Sequence, residues 1–389
     1  RSPSMTPFLQ LHLLLAALSG GVAAALEFGL GRVGALREHP WRRLLASYVA
    51  LAVPLFAWVL AVRRFDHSHS TFQFISVAVG YYAGVLALPA LTLVRAARAR
   101  QGVLAGAGAA VLGVGLWVLL VEPDRLVTVE REVRVAPWSA AAPPLRVVHI
   151  SDLQTVGACE REREAARRIN ALEPELIVFS GDYAAGPFRD PEPAIAAARQ
   201  FLGELRRPRL GIVCVPGHAE SERVRERIFA GLDVVYLANR EVELELDPPG
   251  TPDARRLRIF GTRTLHEGFS VEALAPRAEP GLLNVVLAHE PDVAWELLDK
   301  QVDLLLCGHT HGGQLVVPFF GAPMTLSRLP RRFARGLHEF GALLVNVNPG
   351  LGMEGNFAPR IRLFCPPQID LLVLRGGGVR PTGAAPERS

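Results

Sequence analysis

The sequence predicts an α/β domain preceded by a four-helix transmembrane region. Two observations support this prediction. The first third of the 389-residue chain contains long apolar stretches with few charges, whereas the rest contains short apolar runs that each end at a polar residue. Hydrophobic residues make up 50% of the chain, which is more than a purely soluble protein is expected to carry.

Four apolar stretches near the beginning of the sequence are each long enough to cross a bilayer core of about 30 Å. They comprise residues 11–30, 44–62, 72–94 and 102–121. Seven arginines lie in the loops that follow the first and third stretches, and five lie on the opposite side. Because positively charged loops face the cytoplasm, we expect residues 1–121 to be a transmembrane region, with the following domain outside the cytoplasm.

Residues 122–144 are predicted to form a linker that contains one strand. Within it, residues 127–135 carry valine at every second position except 131, with polar or charged residues between, a pattern typical of a half-buried strand. The domain itself is predicted at residues 145–375, with amphipathic helices at 161–172 and 192–205. We expect the remaining tail, residues 376–389, to be disordered.

Five apolar runs of the predicted domain end at residues that can bind a metal ion. These ends are Ser151-Asp152, Ser180-Gly181-Asp182, Pro216-Gly217-His218, Ala288-His289 and Gly308-His309-Thr310-His311. Strands buried on both faces read as continuous apolar runs, and layered α/β folds place their chemistry at the carboxyl ends of such strands. The pattern therefore predicts that the five ends converge on one metal site.

Each of these residues, taken alone, also has a structural explanation. Asp152 or Asp182 could be a turn or cap residue, and His289 could be an ordinary loop histidine. His309 and His311 are harder to explain in this way, because two histidines among glycines contribute little to packing. Taken together, the five ordered ends favour the metal site.

The ordered motifs resemble those of the calcineurin-like metallophosphoesterases, and in particular their membrane-attached bacterial branch. They read Ser-Asp-Leu-Gln, Ser-Gly-Asp-Tyr, Pro-Gly-His-Ala-Glu, Ala-His-Glu-Pro and Gly-His-Thr-His-Gly-Gly-Gln. The resemblance implies a β-sandwich flanked by helices in a protein of the bacterial cytoplasmic (inner) membrane. It also implies a metal-dependent phosphoesterase that hydrolyses a phosphate ester or anhydride with water activated by two divalent ions.

The resemblance further implies which residues bind the two ions, which we expect to be Mn, Fe, Zn or Mg. Asp152 and His311 match ligands of the first metal, His289 and His309 match ligands of the second, and Asp182 matches the carboxylate that bridges both. The complete set of expected ligands is Asp152, Gln154, Asp182, His218, His289, His309 and His311.

Three positions depart from the family's pattern. Gln154 replaces the histidine of Asp-x-His, His218 replaces the asparagine of Gly-Asn-His, and Ala219 replaces its histidine. In an alternative register, His218 is the retained histidine and Gly217 replaces the asparagine. Glutamine offers a hard oxygen ligand and imidazole a softer nitrogen, so we hypothesise one oxygen-rich and one histidine-rich metal site.

Ala219 predicts weakened catalysis, because the family's histidine at this position helps to protonate the leaving oxygen. Substrates with good leaving groups, such as phosphoanhydrides and aryl phosphates, would be affected least. Glu220 or His218 could serve as a substitute acid, so we expect Asp182, His218 and Glu220 to be the catalytic residues. The alternative is a catalytically silent sensor or scaffold that binds metal or phosphate on the same fold.

A basic cluster follows the Gly-His-Thr-His motif and contains Arg331 and Arg332. We expect these two residues to bind the substrate, either as a phosphate or as a lipid headgroup. The expected partners are the lipid bilayer and a phosphorylated small molecule or lipid. A sugar-nucleotide lipid is one option, although a domain outside the cytoplasm would disfavour it. Nucleic acid is not expected, because the net charge is only +4 and no base-stacking or helix-turn-helix pattern accompanies it.

Overall fold

The computed structural model describes most of the chain in two compact units. The described residues are 81–98, 102–185, 191–248, 251, 254–272, 274, 277–322, 325–354 and 360–386, together with the single positions 21, 25, 29, 30 and 46. One unit comprises residues 1–122 and 354–361, and the other comprises residues 123–353 and 362–389. The predicted spans at 11–30 and 44–62 lie outside the described residues except at those single positions, and so does the beginning of the third span.

The described part of the first unit is helical. A π-helical segment, Tyr81–Ala87, continues into helix α1 (Leu88–Arg98), and helix α2 (Gly102–Leu120) follows. No charged residue interrupts α2, and its small residues allow close packing: a Cβ at Gly108 would lie 3.0 Å from the Pro89 carbonyl oxygen.

Within the described residues, one helix, Gly102–Asp124, is long and apolar enough to cross a membrane. It coincides with the fourth predicted span. The apolar helix Tyr81–Val94 is shorter than a full span. The four-helix region therefore stays a prediction beyond this last stretch.

The second unit contains twelve described strands and three described α-helices. The strands are β1 (Val127–Arg134), β2 (Leu145–Ile150), β3 (Leu176–Phe179), β4 (Ile212–Cys214), β5 (Val235–Tyr236), β6 (Arg240–Glu245), β7 (Arg256–Gly261), β8 (Leu282–Leu287), β9 (Leu304–Cys307), β10 (Gly336–Phe340), β11 (Leu343–Val347) and β12 (Gln368–Arg375). The helices are α3 (Glu160–Ala171), α4 (Glu192–Glu204) and α5 (Glu222–Phe229). Short 3-10 helices occupy Pro291–Leu297, His311–Gly313 and Arg331–Ala334.

The described strands form two six-stranded sheets, in the orders β1-β12-β2-β3-β4-β5 and β10-β11-β9-β8-β7-β6. Strands β2 to β5 run parallel in the first sheet, and β7, β8, β9 and β11 run parallel in the second. Apolar side chains from both sheets, such as Val147 and Leu372 from one and Ile259 and Leu306 from the other, form one buried core. The predicted α/β class is thus confirmed, with two sheets packed face to face.

The two outer faces of this sandwich are covered differently. Residues of α3, α4 and α5, among them Ile169, Phe201 and Ile228, pack on the first sheet. The second sheet is covered by the 3-10 helix Pro291–Leu297 and by aromatic residues such as Phe333. The prediction of helices at 161–172 and 192–205 agrees with α3 and α4 to within one residue at each end.

The segments that flank the predicted domain on either side both contact the sandwich. Strand β1 pairs with β12, and its residues alternate between exposed and half-buried, as the sequence pattern predicts. In the segment after β12, Gly377 donates to the Trp138 carbonyl and Arg380 forms an ion pair with Asp303 at 2.8 Å. The predicted domain boundaries and the predicted disorder of residues 376–389 stay predictions.

Candidate metal centre

Five strand ends bring polar side chains to one edge of the sandwich. Asp152, Asp182 and His218 follow β2, β3 and β4 of the first sheet, and His289 and His309 follow β8 and β9 of the second. The two sheets meet at this edge: His311 Nε2 lies 3.4 Å from Asp152 Oδ1, and His289 Nε2 lies 3.4 Å from Asp182 Oδ2. Residues predicted as ligands from separate motifs are therefore neighbours in space.

Two glycines make this close approach possible. A Cβ at Gly308 would overlap Ser151 Oγ and a carboxylate oxygen of Asp152, and a Cβ at Gly217 would overlap the carboxylate and backbone nitrogen of Asp182. Any side chain at either position would separate the loops of neighbouring strands. The glycines of these motifs are therefore required for the contact itself.

The backbone turns sharply where the strands end. Five candidate ligands have positive φ: Asp152 at 48°, Gln154 at 38°, Asp182 at 60°, His309 at 68° and His311 at 50°. Non-glycine residues rarely adopt this left-handed conformation, and each instance costs roughly 1–3 kcal/mol when the surroundings do not compensate for it. Backbone strain at five candidate ligands is typical of a functional site whose geometry the surrounding fold maintains.

The two carboxylates join these loops by hydrogen bonds. Asp182 Oδ1 accepts from the backbone nitrogens of His218 at 2.6 Å and Ala219 at 2.9 Å, and Asp182 Oδ2 accepts from Gln154 Nε2 at 2.9 Å. Asp152 Oδ2 accepts from the backbone nitrogen of His309 at 3.0 Å. Each carboxylate therefore holds loops that follow different strands.

The surroundings move the pKa values of the two carboxylates in opposite directions. Burial raises the pKa of Asp152, and the positive charge of His289 only partly opposes this effect. For Asp182, burial is outweighed by His289, by His218 and by the Ala219 backbone N–H, so the pKa of Asp182 falls well below its ordinary value. Asp182 is thus the carboxylate that stays ionised.

Three imidazole rings pack around a common point. The centroids of the His218, His289 and His309 rings lie 5.0 Å from one another, and one ligand atom from each lies within 4.8 Å of the others. A second group with the same spacing consists of Asp152, Asp182 and His289. The two groups share His289, so two cation positions would lie side by side.

Hydrogen bonds to carbonyl oxygens orient two of the rings. His289 Nδ1 donates to the Ser180 carbonyl at 2.8 Å, so Nε2 is the nitrogen that faces Asp182. His309 Nε2 donates to the Leu326 carbonyl at 3.0 Å, which leaves Nδ1 available. Metal-binding histidines in proteins are commonly oriented by such a bond from the second ring nitrogen.

Two histidines of the site are in the neutral form that binds metal. Burial lowers the pKa of His309 to about 3 and holds that of His311 well below its ordinary value, so both imidazoles are neutral. Burial acts in the same direction on His289, but Asp182 and Asp152 outweigh it and raise the pKa of His289 to about 10. A cation that binds at His289 must therefore displace a proton.

Unsatisfied buried atoms test whether metal ions fit this site. His289 Nε2 and His311 Nδ1 are buried and, within the described residues, make no hydrogen bond. Burying a ring nitrogen without a hydrogen-bond partner is costly unless the nitrogen binds a ligand. His289 Nε2 faces Asp182, and with the two buried carboxylates and the neighbouring imidazoles it forms a donor set that could hold two divalent cations.

Glu220 lies beside this site and contacts the backbone of a neighbouring loop. Its Oε1 accepts from the Tyr183 backbone nitrogen at 3.2 Å, and burial raises its pKa to about 8. Arg225 donates to the carbonyls of Gly217 and Glu220, which holds the two ends of the His218 loop together. The contacts of Glu220 therefore connect it to the backbone that carries Asp182.

Arg331 and Arg332 lie on the next loop, outside the two candidate ligand groups. Both are exposed, and their guanidinium groups lie 4.7 Å and 4.9 Å from the ring centres of Phe320 and Phe333. Thr310 Oγ1 donates to the Ala334 carbonyl at 2.6 Å, which ties this loop to the histidine loop. Their predicted role in substrate binding stays a prediction.

Three further residues support the site and were not among the predicted site residues. Glu290 is buried, and its Oε1 lies 2.7 Å from His218 Nε2. Asn348 donates to the His149 carbonyl, and the fully buried Arg362 donates to the carbonyls of Pro349, Gly352 and Cys365.

Sequence signals existed for two of these three residues. Glu290 directly follows His289, and Asn348 follows an apolar run just as the predicted ligands do. Arg362 lies between Ile361 and Leu363 in an irregular segment, so no periodic pattern marks it.

Comparison with known proteins gives a consistent result. Residues 145–313 match the sequence profile of the family described as calcineurin-like phosphoesterase. The chain is 30% identical to phosphodiesterase YaeI of Escherichia coli, over 52% of this chain and 71% of that protein. It is 25% identical to UDP-2,3-diacylglucosamine pyrophosphatase LpxG of Chlamydia muridarum, over 66% of this chain and 92% of that protein. It is also 31% identical to a transmembrane protein with metallophosphoesterase domain of Danio rerio, over 66% of this chain and 59% of that protein.

The close approach at Gly308 can be tested by substitution. We expect Gly308→Ala to weaken Mn²⁺ binding by at least about tenfold, because the new methyl group pushes the His309 loop away from Asp152. Bound metal can be measured by mass spectrometry after equilibrium dialysis. Gly203→Ala is the matched control, since nothing lies within 4 Å of a Cβ there. Unchanged metal binding in Gly308→Ala would show that the approach is not needed.

Proposed function

Because this chain belongs to the calcineurin-like phosphoesterase family and is therefore a hydrolase, we propose that it cleaves a phosphate ester or anhydride at a membrane with two divalent cations. The observation that supports this proposal is the convergence of buried carboxylates and histidines from both sheets on one edge. Their ligand atoms form two adjoining groups, each compact enough for one cation. When bound, the cations would activate a water molecule and neutralise charge on the phosphate.

We assign the ligands as the family resemblance implies. Asp152, Gln154 and His311 would hold the first cation, His218, His289 and His309 would hold the second, and Asp182 would bridge them. The first set is rich in oxygen and the second in nitrogen, so the first favours Mg or Mn and the second favours Zn or Fe.

The protein's own residues would hold the charges in position during the reaction. Backbone donors fix Asp182, the Ser180 carbonyl orients His289, and Glu290 lies against His218. Donors held in place in this way lower the reorganisation that is needed when charge develops on the phosphate. The site is in this sense preorganised.

Protonation of the leaving group is the step that lacks a dedicated residue. Ala219 has no acid, and the two substitutes predicted from the sequence differ in their surroundings. His218 is 26% exposed, whereas Glu220 is buried and bonded to the Tyr183 backbone. His218 is the more accessible of the two. A protonated His218 cannot bind a cation, so its roles as acid and as ligand exclude each other.

The substrate that suits such a site has a good leaving group. A phosphoanhydride meets this requirement, and the chlamydial relative is named as a pyrophosphatase. The apolar helix Gly102–Asp124 and the relative named as a transmembrane protein support a membrane location. We propose the bacterial inner membrane, with the domain outside the cytoplasm, and a phosphorylated small molecule or lipid as substrate.

A silent metal-binding sensor or scaffold is the second candidate. The specific observation that favours it is the direction of Gln154, whose amide nitrogen donates to Asp182. An amide nitrogen does not bind metal, so the side chain would have to present its oxygen to act as a ligand. Ala219 also agrees with a loss of catalysis.

Hydrolysis of bis(p-nitrophenyl) phosphate in the presence of Mn²⁺ distinguishes an enzyme from a scaffold. We expect measurable turnover by the full chain, and a loss of at least about a hundredfold in Asp182→Asn, because the bridging charge disappears. Release of p-nitrophenol is followed by absorbance. Asp303→Asn is the matched control, because Asp303 is a buried aspartate that pairs with Arg380. Absence of activity in the unaltered chain would favour the scaffold.

The role of Ala219 can be tested by restoring an acid. We expect Ala219→His to accelerate hydrolysis of an alkyl phosphate ester by about 10²–10⁴, with little effect on a p-nitrophenyl ester, because only the poor leaving group needs a proton. The measurement is kcat/KM for both substrates in both variants. Ala219→Gln controls for the added volume. Equal acceleration of both substrates, or of neither, contradicts this explanation.

The asymmetry of the two sites can be measured directly. After dialysis against equal concentrations of Mn²⁺ and Zn²⁺, we expect about one ion of each kind per chain, since the two donor sets differ in hardness. Mass spectrometry gives the metal content. His218→Asn should lower the zinc content and leave manganese in place. Two ions of the same kind, or no ions, would show that the hypothesis is wrong.

A further inference from the structure

An exposed aromatic surface lies beside the histidine loop. We define the aromatic–arginine surface by its apolar residues Phe319, Phe320, Leu326 and Phe364 and by its basic residues Arg328, Arg331, Arg332 and Arg335. The Phe319 side chain is fully exposed, and Phe320 and Phe364 are each more than half exposed. We propose that this surface docks onto an anionic phospholipid bilayer.

The backbone holds the aromatic residues outward. Residues 317–321 form a tight turn in which the Val317 nitrogen donates to the Gly321 carbonyl at 3.0 Å and the Gly321 nitrogen donates back at 2.9 Å. Phe319 lies at the tip with φ of 66°, a conformation that phenylalanine rarely adopts. The turn thus keeps a large apolar side chain in solvent, where it adds nothing to the stability of an isolated domain.

A second segment extends the same surface. The Val316 nitrogen donates to the Leu363 carbonyl at 2.9 Å, and the Leu363 nitrogen donates to the Gln314 carbonyl at 2.9 Å. This pairing places Phe364 next to the chain that leads into the turn. Arg335 Nη1 donates to the Phe364 carbonyl at 3.1 Å, so a cation accompanies this aromatic residue as well.

The charged residues of this surface are all basic. Residues 315–338 contain four arginines and no acidic residue, and all four arginines are exposed. The guanidinium group of Arg331 lies 4.7 Å from the centre of the Phe320 ring. Exposed aromatic rings together with basic residues are the combination that binds at the headgroup region of a membrane. There, each basic residue adds about fivefold in affinity for anionic lipid.

The surface is connected to the candidate metal centre. The Leu326 carbonyl accepts from His309 Nε2 at 3.0 Å, and the Ala334 carbonyl accepts from Thr310 at 2.6 Å. A soluble phosphate would explain the arginines but not the fully exposed Phe319. The helix Gly102–Asp124 can cross a membrane, which would keep a bilayer at high effective concentration. Docking would bring the metal centre to the headgroups.

Fluorescence quenching by lipid tests this proposal in the full chain. Phe319→Cys is labelled with the environment-sensitive dye NBD in a Cys159→Ser background, because the other cysteines are buried. The protein is placed in nanodiscs of phosphatidylcholine, with or without phosphatidylglycerol, that contain doxyl-labelled lipid. We expect a blue shift and several-fold stronger quenching in the anionic discs. Adding Arg331→Gln and Arg332→Gln should remove most of this difference, because both basic residues contribute to the binding of anionic lipid.

Val379→Cys is the matched control, because Val379 is also exposed but lies in the segment after β12, outside this surface. Equal quenching at both positions, or none at position 319, would overturn the proposal. So would quenching that requires an added alkyl phosphate, since the occupant would then be a lipid ligand and not the bilayer. The readout needs no catalysis, so its failure is distinguishable from a failure of the proposed hydrolysis.

Discussion

Two buried carboxylates, Asp152 and Asp182, impose the arrangement of the loops around the candidate metal centre. A buried charge without compensation is costly, so N–H groups, imidazoles or cations must surround each one. Backbone nitrogens at positions 218, 219 and 309 supply part of this compensation, and His289 supplies more. The glycines at the strand ends are needed because these donors must come within hydrogen-bond distance. The left-handed backbone of several candidate ligands is the conformational cost of the same requirement.

The surroundings stabilise the negative charges of the two carboxylates to different degrees, and this difference bears on the chemistry of the site. Asp182 is held ionised by its donors, whereas burial raises the pKa of Asp152. Next to the carboxylates, three histidine rings form a nitrogen-rich group. Two unlike positions beside each other suit a reaction in which one phosphate oxygen and one water molecule need different partners. The aromatic–arginine surface adjoins this site through His309, so recognition of a lipid surface and phosphate chemistry would share one loop.

Much of the fold could be predicted from the sequence. Buried parallel strands appear as continuous apolar runs, and helices α3 and α4 show the spacing of amphipathic helices, so both are visible locally. The assignment of strands to two sheets came only with the family resemblance, because periodicity does not report which strands pair. The pattern also did not reveal that α-helices cover one sheet whereas 3-10 helices and aromatic residues cover the other.

For the candidate site, the sequence by itself determined the kinds of donor and their places at strand ends, since a polar residue after an apolar run is a local signal. Only the tertiary structure decided which donors meet. Glu290 beside His218, Arg362 beneath the loops and Gly308 against Asp152 are contacts between segments far apart in the chain. Such contacts depend on how the two sheets pack, and this packing depends on all the buried side chains together. No single sequence motif therefore predicts these contacts.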